Sequence, residues 1–253
     1  MTTLPELGRN IARLHYTKRG KVRFLGHRDV ARNLERAFRI TQLPLVFSEG
    51  FNPHPKISFG LALTTGFESD AEYVDVEFAE LIDLEALPVA LTAALPPGIE
   101  VVRAAWLADR APALQEAVTS VVWHVEVLCR DDTAFGEQPA DVTELETAMA
   151  TALASEQIEC TKVRKGRTVT DDIRPVIRRL ELVEPHDIFS TSDAPILELE
   201  LASKGAKPAE VLAAIGPFVA GRGLRLHQYI ERAGERIAPI AADVRAPLAG
   251  ATA

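Results

Sequence analysis

The sequence predicts an α+β fold made of two successive βαββαβ units, each ferredoxin-like, with antiparallel sheets backed by helices. Three observations carry this expectation. Segments such as YVDVEFA (73–79) and ILELELA (196–202) alternate apolar and polar residues with the period of a half-buried strand. DVARNLERAFRI (29–40) spaces Val30, Leu34, Ala37 and Phe38 as an amphipathic helix does. The order strand, helix, strands, helix, strand occurs twice along the 253 residues.

In the first unit, IARLHYTK (11–18) and KVRFL (21–25) read as strand, and helix 29–40 ends before Pro44. LVF (45–47) and ISFGLAL (57–63) read as short strands. In 73–79, Val74, Val76 and Phe78 share one face and Asp75 and Glu77 the other, as in a sheet covered on one side only. DLEALPVALTAAL (83–95) reads as a helix despite Pro88, and GIEVVRAAWL (98–107) as a strand. The first unit thus covers 1–107, and the Pro/Ala-rich stretch 108–117 reads as a linker. The second unit, 118–232, repeats the plan. Its strands are 120–129, 158–163, 173–184, 196–202 and 224–232, its helices 141–153 and 209–218, and it carries an extra hairpin. Residues 233–253 offer little to bury and read as a flexible tail.

Composition bounds the function. With 47% hydrophobic and 25% charged residues the chain is ordinary globular protein. No apolar run approaches the ~20 residues of a membrane span and no signal peptide is evident, so the expectation is a cytoplasmic protein that does not engage a membrane. Cys129 and Cys160 are the only cysteines, and no CxxC occurs. A disulfide framework, a metal site and a cysteine-held cluster are therefore not expected in this chain.

The net charge of −8 is unevenly spread. Residues 1–60 carry 11 Lys and Arg against 4 Asp and Glu, whereas residues 61–160 carry 3 against 20. Either the basic quarter meets an anion, or the two signs face each other inside the fold. Arg28, Arg32, Arg36 and Arg39 fall on one stripe of helix 29–40, opposite its apolar residues. Like charges at this spacing oppose the helix by about 0.2–0.5 kcal/mol per pair, so phosphate contact is the functional reading and a solvated face the bland one. The helix start at FLGHRD places His27 where free backbone N–H groups favour an anion.

SEGFNPHPKISFG (48–60) is the most unusual stretch. Pro53 and Pro55 fix φ, and both force the preceding Asn52 and His54 toward extended conformations. Gly50 permits a sharp bend, and Phe51 supplies either a core anchor or a stacking surface. The segment is either a stiff turn or a loop that presents Asn52, His54 and Lys56 to a ligand. Lys162, Arg164, Lys165 and Arg174 form a second basic cluster at a hairpin in 162–175. Aromatic residues that could stack on bases are few: Phe51, Phe59, Tyr73 and Tyr229.

VRFLGHRDVARNLERAFR, LPLVFSEGFNPHPKISFGLAL and GFESDAEYVDVE together resemble the radical-SAM-linked protein family, and the likeness continues more loosely to Asp172-Ile173-Arg174-Pro175. His27, Asp29 and the run Gly50 to Lys56 match that family's pattern, whereas Gly26 and Arg28 stand where it has Ser and Leu. The module there occurs fused to a radical-SAM enzyme or beside one, with no activity assigned to it. The resemblance implies a radical-SAM enzyme as partner, with the iron–sulfur cluster and S-adenosylmethionine in that partner only.

More distantly, the doubled plan with a histidine near the first helix is similar to the CRISPR repeat-processing endoribonucleases of the RAMP superfamily. The leading expectation is an accessory module that binds structured RNA, tRNA or rRNA, rather than DNA, a reading that requires no catalytic residue in this chain and leaves open whether it is an enzyme. The alternatives are a protein-interaction scaffold using the acidic residues of 61–160, and a metal-independent endoribonuclease in which His27 and His54 flank one phosphate.

Overall fold

The computed structural model describes residues 9–109, 111–131, 136–164 and 166–245. They form an α+β protein of two compact units. The first comprises the chain up to Val118 together with everything from Tyr229 onward, and the second comprises Thr119–Gln228. No helix among the described residues is long and apolar enough to cross a membrane.

The first unit contains β1 (Asn10–Lys18), α1 (His27–Ile40), β2 (Ile57–Phe59), β3 (Glu68–Phe78), α2 (Leu87–Ala94), β4 (Ile99–Trp106) and the short α3 (Leu114–Ala117). Its strands lie in the order β4-β1-β3-β2, with every neighbouring pair antiparallel. One face of this sheet is apolar. Ala12, Leu14 and Tyr16 of β1 and Val74, Val76 and Phe78 of β3 pack against Val30, Leu34, Ala37 and Phe38 of α1 and Leu87 and Leu91 of α2. Burying such side chains is worth roughly 1.5–3 kcal/mol each, so this layer holds α1 firmly.

The opposite face departs from the expectation of a sheet open to water. Arg13 is 0% exposed, and its Nε and Nη2 donate to the two Asp75 carboxylate oxygens at 2.7 and 2.8 Å. Arg13 and Asp75 sit directly across from each other in the β1/β3 register. The third donor, Nη1, reaches the backbone carbonyl of Pro239 at 3.0 Å. That carbonyl belongs to the segment expected to fray. Instead the chain past residue 232 folds back through β12 (Glu235–Ile237) and a 3-10 turn at Pro239–Ala241. Ile240 joins Ala71, Tyr73 and Leu114 in a second small core, Leu107 bridges Val244, and Arg245 N–H donates to the Trp106 carbonyl. The tail is therefore part of the first unit through Arg245, and its remainder lies outside the described residues. Leu114 likewise makes the 108–117 stretch more than a linker.

The second unit contains β5 (Ser120–Asp131), β6 (Gly136–Pro139), α4 (Val142–Ala154), β7 (Glu159–Arg164), β8 (Arg167–Asp172), β9 (Ile177–Val183), β10 (Ile196–Ala202), α5 (Pro208–Ile215) and most of β11 (Phe218–Arg232). Four strands follow the order β11-β5-β10-β9, β6 pairs with β5, and β7 and β8 form a separate two-stranded hairpin. Asp141 caps α4 by accepting the Glu144 N–H at 2.9 Å.

Several elements differ locally from the sequence reading. KVRFL is a 3-10 turn, Gly20–Phe24, because Lys18 Nζ donates to the Arg23 and Leu25 carbonyls while Glu68 accepts from Gly20 N–H and Arg23. The strand at 57 stops at Phe59, and β3 begins at Glu68 rather than 73. Pro88 falls in the first turn of α2, where its missing N–H costs nothing, so that helix starts at Leu87. Arg174-Pro175-Val176 makes a 3-10 turn ahead of β9.

Two outcomes follow. Arg13→Ala leaves the Asp75 carboxylate buried without its partner and should lower unfolding free energy by about 3–5 kcal/mol in urea titration, while Arg13→Met with Asp75→Leu should recover most of it. The returning segment is also clamped by Arg232, which donates to Asp243 at 2.6 Å and holds its carboxyl below the ordinary aspartate range. A depressed folded-state value means that this contribution is complete above the unfolded value near ~4 and disappears as pH falls through the folded one. The acid limb of a stability-against-pH curve should therefore flatten in Arg232→Gln, with no change between pH 6 and 8 in its slope.

Candidate nucleic-acid interface

The basic first quarter of the chain divides into two populations. Arg9, Arg13, Arg19 and Arg23 pair with Glu77, Asp75, Asp70 and Glu68, all carried by β3. The opposite signs in the sequence thus do meet inside the fold for these residues. Arg28, Arg32, Arg36 and Arg39 do not share that fate: all four are exposed along the outer face of α1. Arg32 Nη1 reaches Asp29 at 3.2 Å, an exposed pair of little energetic weight. The arginines that β3 leaves unpaired are therefore gathered on one helix face.

Beside α1 rises a hairpin arm, which is the form that the GFNPHP stretch takes. Its base joins β3, where Val46 N–H donates to the Glu77 carbonyl at 2.9 Å and Glu77 N–H to the Lys56 carbonyl at 3.0 Å. Above the base, Lys56 N–H donates to Val46, Ser48 N–H to His54, and the His54 N–H to Ser48 Oγ at 3.0 Å. The tip is Glu49-Gly50-Phe51-Asn52-Pro53, wholly exposed. Gly50 has φ +123°, which a side chain would strain, with open space around it. Phe51 is fully exposed, so it is not a core anchor. Of the other stacking candidates, Tyr73 is buried, Phe59 packs against the His27 ring edge at 4.6 Å, and Tyr229 lies under Arg236 at 4.1 Å.

The arm and the C-terminal half of α1 enclose a groove of about 480 Å³. Phe38, Leu43, Leu45 and Phe47 give it apolar walls, and Glu35, Arg39, Gln42 and His54 place polar groups on it. Gln42 shows how the helix end builds this site. It adopts φ +54° just past the cap residue Thr41, its N–H donates to the Arg39 carbonyl, and Leu43 N–H donates to the Phe38 carbonyl. This is a Schellman closure with glutamine at the position glycine suits best, and the Phe38–Leu43 pair is its hydrophobic contact. Gln42 and Glu35 were not singled out by the sequence reading. The available signal was the Phe38…Leu43-Pro44 spacing with no glycine between.

His27 is the first residue of α1 after the Gly26 cap and borders a different cavity, of about 20 Å³, with Lys18, Phe59, Glu72 and Tyr73. That space suits a single water. Burial pushes the Tyr73 phenol pKa up, which keeps its proton in place. His27 and His54 thus serve separate cavities toward opposite ends of a 14-residue helix, about 20 Å long at 1.5 Å per residue. One phosphate cannot lie between them in this arrangement.

The second basic cluster is also reassigned by its contacts. Lys162 Nζ donates to the Gly205 carbonyl and lies 3.4 Å from Asp171 and 3.7 Å from Glu210, which ties the β7/β8 hairpin to α5. Arg174 donates to the Leu153 and Ser155 carbonyls at the end of α4 and to Ile177, a helix C-terminal lock. The Arg164 side chain and Lys165 lie outside the described residues. Among the described residues, no group of three or more His, Cys, Asp or Glu side chains is placed to hold a metal ion.

The chain belongs to the bacterial family described as "Uncharacterized protein conserved in bacteria (DUF2344)", which matches residues 12–211. No curated protein matches it. Among solved structures it is similar to a chain of the crystal structure of a Cbf5-Nop10-Gar1 complex, at 12% identity and TM-score 0.45, over 86% of this chain and 48% of that one. It is also similar to a chain of an H/ACA RNP bound to a substrate RNA containing 2'-deoxyuridine, at 10% identity and TM-score 0.39, over 92% and 54%. The protein spans about half the length of both.

Gln42 gives a test of the helix end. A non-glycine residue in the left-handed region costs about 1–3 kcal/mol, and glycine gives back roughly 0.4–1 through a more flexible unfolded chain. Gln42→Gly should therefore raise the unfolding free energy by about 1 kcal/mol, read from the urea midpoint at unchanged m-value.

Proposed function

We propose that this protein is an accessory RNA-binding module, taking tRNA or rRNA, that works beside a radical-SAM enzyme. The observation that carries the reading is the partition of charge: β3 neutralises four arginines of the first quarter, while four others stand exposed on α1 next to a stiff arm with an open aromatic tip. Guanidinium groups along one face contact successive phosphates, and an exposed Phe51 offers a surface on which an unpaired base stacks. No step of this function needs a reacting side chain. The radical-SAM partner rests on the sequence resemblance alone, and the iron–sulfur cluster and S-adenosylmethionine belong to it. The strand order of the first unit, fourth-first-third-second with helices in both crossovers, supports a ferredoxin-like reading of that unit. The second unit's β11-β5-β10-β9 order supports the same reading there.

The test is the salt dependence of binding to a tRNA or rRNA fragment, followed by fluorescence anisotropy. The logarithm of the association constant should fall linearly with the logarithm of salt concentration. Replacing Arg32 and Arg36 by alanine should flatten that slope by about 1.4, or ~0.7 for each single-strand phosphate contact removed. An unchanged slope would remove α1 as the contact surface, and absence of binding would remove the function. The partner is tested separately by pull-down after nuclease treatment, which should still recover a radical-SAM enzyme.

A further inference from the structure

The groove between α1 and the arm is more than a phosphate track, because it combines apolar lining with a few polar groups. Phe38, Leu43, Leu45 and Phe47 leave an apolar slot, and about 480 Å³ lies within the range of ordinary small-ligand sites. A carboxylate accepts hydrogen bonds but cannot donate, and Glu35 brings one to this slot. Gln42 adds an amide that both donates and accepts, held there at a backbone conformation that disfavours its side chain. Arg39 lines the same groove, and Arg36 is exposed one turn earlier on the helix.

We propose that this groove holds one unstacked nucleobase whose Watson–Crick edge sets an exocyclic amino group beside an unprotonated ring nitrogen, adenine or cytosine, with Glu35 as the residue that sets the preference. The inference deepens the RNA-binding function proposed above and rests on it. The base enters against the exposed Phe47 ring, its amino group donates to the Glu35 carboxylate, and the Gln42 amide donates to the adjacent ring nitrogen. Arg39 and Arg36 meet the phosphates on either side. Uracil presents a carbonyl oxygen where adenine and cytosine carry the amino group. Set against the half-buried Glu35 it brings acceptor to acceptor, which forfeits the hydrogen bond and weakens binding.

The experiment uses the full chain and fluorescein-labelled nine-nucleotide oligoadenylate, oligocytidylate and oligouridylate, compared by anisotropy at one salt concentration. Oligoadenylate and oligocytidylate should bind about tenfold more tightly than oligouridylate. Glu35→Gln puts an amide donor in place of the carboxylate and should bring the three affinities within about twofold. Phe47→Ala should weaken the adenylate and cytidylate complexes about tenfold and leave the uridylate complex unchanged, whereas Arg36→Ala should weaken all three alike. Equal binding of the three oligonucleotides by the wild-type chain overturns the base pocket and leaves the RNA-binding function standing, as does a preference that persists in Glu35→Gln. Failure to bind any of them overturns the base pocket alone, because the RNA-binding function is decided by the tRNA or rRNA fragment.

Discussion

The buried Arg13 guanidinium is the interaction on which the first unit depends. All three of its nitrogens donate, Nε and Nη2 to Asp75 across the sheet and Nη1 to the Pro239 carbonyl. A guanidinium fully removed from water is tolerated when its charge is paired and each of its nitrogens finds an acceptor, and the bidentate fork on a carboxylate supplies most of that. The pair also fixes the β1/β3 register, because a slip of one residue would send Arg13 to the apolar side beneath α1. Its third hydrogen bond makes the fold of the first 118 residues answer to a chain segment more than 200 residues away. The C-terminal return is thus a structural wall of the unit.

That internal neutralisation decides what the surface can do. Four cations that a linear count assigns to a basic quarter are consumed by β3, and the acidic stretch that looked like a docking face gives up Glu68, Asp70, Asp75 and Glu77 to them. The scaffold alternative loses part of its charge by the same pairing that sharpens the RNA-binding one. Positive potential remains on α1, whose inner face is clamped by Val30, Leu34, Ala37 and Phe38. The arginines are consequently presented on a rigid rod, and only their side chains must order when an anion arrives.

Legibility in the sequence followed the range of the interactions involved. The helix at 29–40 and the strand at 196–202 were readable because hydrophobic period is a local property, and both appear with bounds within two residues. The exposure of the arginine stripe was readable for the same reason. KVRFL looked like a strand because its 3-10 turn is imposed by Lys18 and by Glu68, 45 residues from Arg23. The tail looked featureless because its partners, Trp106 and Arg13, are distant in sequence. Lys162 and Arg174 looked like anion ligands because charge is visible in a sequence, whereas the carbonyls of Gly205, Leu153 and Ser155 that hold them are not.

The stiffness of the arm then acquires a physical purpose. A hairpin of this kind would lose much of its binding energy to ordering if its tip and walls were mobile in the free protein. Two prolines, the Ser48–His54 hydrogen bonds and the pairing of its base to β3 set that order when the chain folds. The groove on one side of the arm is therefore formed before any ligand enters, and His54 helps to shape it by its backbone as much as by its ring. A stacking surface supplied by the exposed Phe51 and Phe47 cannot alone support tight sequence-specific recognition. In the proposed complex, affinity comes largely from phosphates on α1, which leaves the polar groups of the groove to supply selectivity.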